Sequence, residues 1–209
     1  MFTGPTKYAA DVDWIMYFIV ISSSILLLGI TAAMIYFVFK YSRKKNSKPE
    51  NIHGNTTLEI LWIVIPTVLV LFMFYFGLTA FNEFREIPKD ALEVTVLAKQ
   101  WVWEFDYANG KKSDTLYLPV GKSVKFNLTT ADVNHGFYLP DFRVKEDIIA
   151  GRVNYMVIKP EKKGSYQIMC SQYCGLTHSN MYSRLVVLSE AEFNDWLNKV
   201  PADSVVVVK

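Results

Sequence analysis

Cysteine is nearly missing from this 209-residue chain: there are two. That is too few for a disulfide framework. Histidine occurs three times and no Cys-x-x-Cys-His run exists, so no c-type haem attachment and no fused cytochrome domain is expected. Net charge is only +2, with no basic cluster beyond one short loop, so nucleic-acid binding has nothing to rest on. Internal repeats and low-complexity segments are absent. Charge itself is missing from two stretches, Trp14 to Phe39 and Ile60 to Phe81.

Those two runs are each long enough to cross a bilayer, for which about 20 apolar residues suffice in a helix. A signal peptide is the competing reading for the first, but the run is too long, starts too far in, and lacks a basic leader and a small-residue cleavage site. The second contains Pro66, which is tolerated in membrane helices and predicts a kink rather than an end. Between them, Lys40, Arg43, Lys44, Lys45 and Lys48 stand against a single acid, Glu50. By the positive-inside rule this loop is cytoplasmic, and both termini lie outside. The expected organisation is an extracytoplasmic segment 1–13, a transmembrane helical hairpin 14–90 with a cytoplasmic loop at about 40–57, and an extracytoplasmic domain 91–209.

Beyond Phe81 there are 16 basic and 16 acidic residues, so total charge says nothing about a partner's sign. Strand signals dominate. Leu92 to Tyr107 is rich in Val, Thr and aromatics, and Lys122 to Thr130 alternates with Val124, Phe126 and Leu128 on one face. Val153 to Lys159, Ser165 to Met169 and Arg184 to Leu188 read the same way, with turns at Asn109-Gly110 and Pro119-Val120-Gly121. Short strands at this spacing predict a β-sandwich or barrel. Ser189 and Glu192 form a capping box that opens one closing helix, with Phe193, Trp196 and Leu197 on its apolar face. The tail Ser204 to Lys209 is too short to assign.

Both cysteines fall within Cys170 to Met181, which also holds His178. Thiolate, imidazole and thioether donors gathered this closely ask for a soft metal, and copper suits them. His135 is the upstream candidate, placed just after a strand. Blue-copper sandwiches use that plan, but here the loop has a second thiol. Cysteines four apart can bridge two copper ions, with His135 and His178 as terminal ligands and Met181 and the Gln172 carbonyl as weak axial contacts. A Cys170–Cys174 disulfide and a tetrahedral zinc on both cysteines and both histidines are the competing readings. The first leaves His178 and Met181 unexplained, and the second leaves Met181 idle.

Over nearly its whole length the sequence resembles subunit II of the haem-copper cytochrome c oxidases. The resemblance is carried by His53 to Trp62 (HGNTTLEILW), Lys99 to Tyr107 (KQWVWEFDY), His135 with Phe142 to Asp147 and Gly151-Arg152, and the Cys170 to Met181 loop. It implies a cupredoxin-like domain carrying a binuclear CuA centre on His135, Cys170, Cys174, His178 and Met181, with the Gln172 backbone carbonyl. Such a centre takes electrons from cytochrome c, or a similar c-type donor, and passes them to haem in subunit I. There oxygen is reduced to water with proton translocation, so the reacting site is on another chain.

Trp101 matches the aromatic at which electrons arrive, and is expected to be exposed while some of Trp103, Phe105 and Tyr107 fill the core. Glu59 matches the acid at the cytoplasmic mouth of a proton-uptake channel, a position that the helix dipole alone also favours. His53 has no ligand partner and shapes its turn. Asp106, Asp114, Asp132, Asp141, Glu146 and Asp147 are candidates for an acidic surface that steers a basic cytochrome. Gln172 departs from the commonest pattern, which has Glu. The copper contact uses the backbone, but the family's carboxylate also binds magnesium at the subunit interface, and a neutral amide is a weaker ligand for a hard cation. Magnesium is therefore in doubt here. Gln also looks like the oxidase branch that lacks magnesium, although that branch tends to have a different membrane anchor. The expected partners are subunit I, the other oxidase subunits, the c-type donor and the lipid bilayer, and the expected location is the bacterial inner membrane. A nitric oxide reductase with the same electron-accepting domain, or a membrane-anchored copper-delivery protein, would share the loop.

Overall fold

A computed structural model describes residues 4–46, 48, 51 and 53–199. Glu50 and the tail Ser204 to Lys209 lie outside the described residues. Two helices come first, α1 (Lys7–Lys40) and α2 (Thr56–Arg85). Residues 12–80 form one compact unit; the residues up to 11 and those from 81 onward belong to the other. Each helix starts on a polar cap. Thr6 Oγ1 accepts the Ala9 N–H at 3.0 Å, and Asn55 Oδ1 accepts the N–H groups of Thr57 and Leu58 at 3.0 and 3.2 Å. Caps of this kind satisfy donors that the helix itself leaves unpaired.

Helix α2 runs on through Pro66. The Ser22, Thr67 and Thr79 hydroxyls donate to the carbonyls of Phe18, Ile63 and Tyr75. Within the unit 12–80, the rings of Trp14, Phe18, Phe72 and Phe76 pack with centroids 4.6 to 6.1 Å apart. Leu27, Leu28, Ile30, Phe39, Leu71 and Phe74 instead point outward. So broad an apolar surface does not persist in water, whereas lipid requires it. Both helices are long and apolar enough to span, and the chain is a membrane protein with two spans.

Ten strands follow: β1 (Leu92–Lys99), β2 (Val102–Tyr107), β3 (Lys112–Ser113), β4 (Leu116–Pro119), β5 (Val124–Thr130), β6 (His135–Leu139), β7 (Val144–Ile148), β8 (Asn154–Ile158), β9 (Gly164–Cys170) and β10 (Tyr182–Leu188). They form two five-stranded sheets, in the orders β3-β2-β1-β5-β8 and β4-β10-β9-β6-β7. β1 runs parallel to β5, and β4 parallel to β10. Alternate residues of the first sheet, among them Val94, Val96, Phe105, Phe126 and Leu128, meet Leu116, Leu118, Phe137, Ile168 and Leu185 of the second in one buried core. Each such side chain contributes about 1.5 to 3 kcal/mol by leaving water. Tyr107 fastens β2 to β4: its hydroxyl donates to the Tyr117 carbonyl at 3.1 Å and accepts the Tyr117 N–H at 2.8 Å. Helix α3 (Glu190–Asn198) closes the domain with the expected capping box, Phe193 buried and the Trp196 ring 4.3 Å from that of Tyr117.

The expected sandwich with a terminal helix is therefore present, with local differences. The run Leu92 to Tyr107 is not one strand but the antiparallel hairpin β1–β2, reversing at Gln100-Trp101, whose peptide bond is cis. Strands β3, β4, β6 and β7 were not expected, and His135, which follows β5 as expected, also opens β6.

Candidate metal centre

The sheets bring the candidate ligands together from two directions. His135 enters from the start of β6, Cys170 ends β9, and the other candidates lie on the connection from β9 to β10. The two segments are joined directly, since the Ser171 N–H donates to the Gly136 carbonyl at 3.0 Å. Glycine is required at 136 because a Cβ there would overlap Ser171 Oγ and lie 3.2 Å from the Gln172 backbone nitrogen.

Cys170 Sγ and Cys174 Sγ are 3.8 Å apart and both thiols are free. His135 Nδ1 lies 3.8 Å from Cys170 Sγ, and His178 Nδ1 lies 3.5 Å from Cys174 Sγ. Met181 Sδ is 3.8 Å from Cys174 Sγ, and the Gln172 carbonyl oxygen is 3.2 Å from Cys170 Sγ. The ligand atoms of His135, Cys170 and Cys174 all lie within 4.8 Å of one another. His135 and Met181 are fully buried and Cys174 nearly so. All six expected metal-site residues thus converge on one pocket of soft donors, a set that fits copper.

The polar surroundings prepare these donors. Asp132 Oδ1 lies 2.8 Å from His135 Nε2, which places the imidazole proton on Nε2 and leaves Nδ1 free as a ligand. Burial pushes the Asp132 carboxyl up. Hydrogen bonds from His135 and from the Gln100 and Val133 N–H groups outweigh it and hold the carboxyl at about 2. Burial and the adjacent Cys170 push the Cys174 thiol up to about 12 in the metal-free chain, so a metal must displace a tightly held proton to bind.

Gln100 ties the hairpin turn to both halves of the pocket. Its N–H donates to Asp132 Oδ2 at 2.7 Å, and its Nε2 donates to the Cys174 carbonyl at 2.8 Å. Trp101 is half-buried rather than exposed, because its ring lies against Gly175, where a Cβ would come within 3.2 Å of it. Trp103, Phe105 and Tyr107 are buried, as the alternation requires. Glu59 is elsewhere, exposed in the first turn of α2 in the other unit, and His53 is exposed in the connecting loop.

The six acids do not form one free set. Asp106 pairs with Lys112 at 3.2 Å, Glu146 with Arg85 at 2.9 Å and the exposed Asp132 with His135 at 2.8 Å, the exposed Asp147 accepts from Gln172 Nε2, and Asp114 and Asp141 are exposed. Sequence reasoning placed Asp132 on the surface, where it is, but missed its bond to His135, and missed Gln100 altogether. The only sequence signal for Asp132 is its place one short turn ahead of a candidate ligand.

Residues 111–189 match the family profile described as cytochrome C oxidase subunit II, periplasmic domain, and residues 3–80 match its transmembrane domain. The chain is 30% identical to the alternative cytochrome c oxidase subunit 2 of Bradyrhizobium diazoefficiens, over 79% of this chain and 72% of that one. It is also 30% identical to the cytochrome c oxidase subunit 2 of Alkalihalophilus pseudofirmus, over 86% of this chain but only 57% of the relative. Among solved structures, the periplasmic domain of subunit II of cytochrome oxidase of Bradyrhizobium japonicum is similar. The match has 33% identity and a TM-score of 0.51, over 54% of this chain and 94% of that one.

Proposed function

The chain belongs to the cytochrome c oxidase subunit II family, and from that premise we propose that electrons enter the oxidase through its two-copper CuA centre, held by His135, Cys170, Cys174, His178, Met181 and the Gln172 carbonyl. As a family member it is a subunit of an oxidoreductase and works with other oxidase subunits. The carrying observation is the partition of donors. One imidazole approaches each thiol, His135 at Cys170 and His178 at Cys174, across a sulfur pair 3.8 Å apart. Two metal ions sharing both sulfurs need that distribution, whereas a single tetrahedral ion needs all four donors around one point. Bound there, the copper pair would supply a one-electron carrier whose charge is spread over both ions.

The chain's own residues hold that carrier still and dry. Asp132 fixes the His135 ring, buried Met181 closes the inner side, and the backbone of Gln100 anchors Asp132 in turn. Trp101, packed on Gly175 beside Cys174, offers an aromatic path from the donor cytochrome c. The exposed Asp114, Asp141 and Asp147 steer that basic donor. Tyr173, 80% exposed, and Leu176, 92% exposed, give the loop tip an apolar face for the haem-bearing subunit I. Electrons passing to that haem serve oxygen reduction, with Glu59 at the cytoplasmic mouth of a proton path. The domain then faces the periplasm of a bacterial inner membrane. Magnesium is not part of the proposal, because the Gln172 amide is neutral and its nitrogen is engaged with Asp147.

The test is the spectrum of the purified, copper-loaded chain. A purple, mixed-valent two-copper signature is expected; a single-copper blue spectrum, or a colourless protein holding zinc, would refute the assignment.

A further inference from the structure

Asp147 and Gln172 lie 25 positions apart in sequence, yet Gln172 Nε2 donates to Asp147 Oδ1 at 2.9 Å. A carboxylate can only accept, so the bond fixes which end of the amide faces Asp147. The same Gln172 turns its backbone carbonyl the other way, to 3.2 Å from Cys170 Sγ. One residue therefore has its side chain moored to β7 and its carbonyl in the metal pocket.

The mooring point is itself held. The Asn154 side-chain amide donates to the Asp147 carbonyl at 3.1 Å and to Glu146 Oε1 at 2.7 Å. Glu146 Oε2 in turn takes Arg85 Nη2 at 2.9 Å. Arg85 lies over the rings of Phe84 and Tyr155 at 5.3 and 5.7 Å. The pair thus continues into a connected polar chain that ends on the last residue of α2.

We infer that Asp147 is a positioning residue for the metal centre: it tethers the Gln172 side chain and so holds the Gln172 carbonyl toward the metals. This rests on the copper reading above. A carbonyl ligand is a weak one, and the loop between Cys170 and Cys174 would otherwise let it swing toward water. Anchoring by a carboxylate inside the chain does this with no cation. It also gives Asp147 a role other than surface charge, and the two roles separate experimentally.

The full-length protein is purified in detergent, loaded with copper, and compared as wild type, Asp147→Asn, Asp147→Leu, Gln172→Met and the Asp147→Leu/Gln172→Met double variant. The readouts are the charge-transfer absorption, the reduction potential and the rate of copper loss to a chelator. Asparagine keeps the acceptor and discards the charge, so Asp147→Asn is expected to match wild type. Asp147→Leu and Gln172→Met each cut the same bond, and each should shift the absorption and the potential and release copper about tenfold faster. The double variant should be no worse than either single. The inference is overturned if all variants match wild type, if Asp147→Asn is as damaged as Asp147→Leu, or if the two single effects add. A wild type without the two-copper absorption overturns the copper reading instead, before any variant is compared.

Discussion

The two sides of the metal pocket are built differently. On one side His135 opens β6, is fully buried, and is held through Asp132 by a hairpin turn that sheet pairing fixes. On the other side, Cys174, His178 and Met181 sit on a connection with a single 3-10 turn, His178–Asn180, beyond the end of β9. The first side takes its rigidity from the sheet. The second depends on individual contacts: the Gly136–Ser171 seam, the Gln100 bond to Cys174 and the Gln172 bond to Asp147. A strand position is set by a whole ladder of hydrogen bonds, a loop position by the few that reach it.

The largest expected effect comes from the strand side. Asp132→Ala leaves His135 without the partner that sets its tautomer and frees the Gln100 N–H, and should weaken copper retention by about 10 to 100-fold. Competition with a chelator measures this. A loss no greater than that of Asp147→Leu would mean that the strand side is no better organised than the loop. Next, Gly136→Ala strikes the seam between the two sides. The new methyl meets Ser171 Oγ, a buried atom with no hydrogen-bond partner among the described residues. Overpacking of this kind costs about 1 to 3 kcal/mol, to be read in thermal or denaturant unfolding. The copper absorption should shift as well, because rotating Ser171 Oγ away still leaves the methyl 3.2 Å from the Gln172 backbone nitrogen, and the loop must give there.

The smallest effect lies away from both sides. Bonds from Ser189 and Lys163 hold the exposed Glu192 carboxyl down at about 2, below its ordinary 4.5. A carboxyl depressed on folding stabilises fully above its unfolded pKa, and that contribution is lost as pH falls through about 4.5 toward 2. Wild type should therefore lose more α3 stability than Glu192→Gln over that window, in acid unfolding followed by Trp196 fluorescence. The copper spectrum at neutral pH should be the same in both.

Much of this was legible in the sequence. The spans are uncharged runs, and lipid rewards such runs locally, residue by residue. The six candidate donors could be grouped because five fall within Cys170 to Met181 and His135 stands out as a histidine near a strand. The hairpin turn was not legible, since Gln100-Trp101 carries none of the usual turn residues. Strand β7 hid behind Lys145, Glu146 and Asp147, with only Val144 and Ile148 facing inward. Strand β6 hid because its second residue is glycine, which close packing against the loop explains and strand propensity does not. Nor did composition distinguish Asp132 or Asp147 from any solvated acid.

The sequence by itself determined the two spans, the alternating strands, the capped last helix and the candidate donors of the Cys170 to Met181 loop, because each depends on neighbours a few positions away. The tertiary structure decided how those donors are held. Asp132 meets the Gln100 N–H 32 positions away, Gln100 reaches the Cys174 carbonyl across 74, and Asp147 meets Gln172 across 25. Strand pairing within each sheet makes the first and third of these contacts and the stacking of the two sheets makes the second, and no periodicity along the chain records which residues will meet.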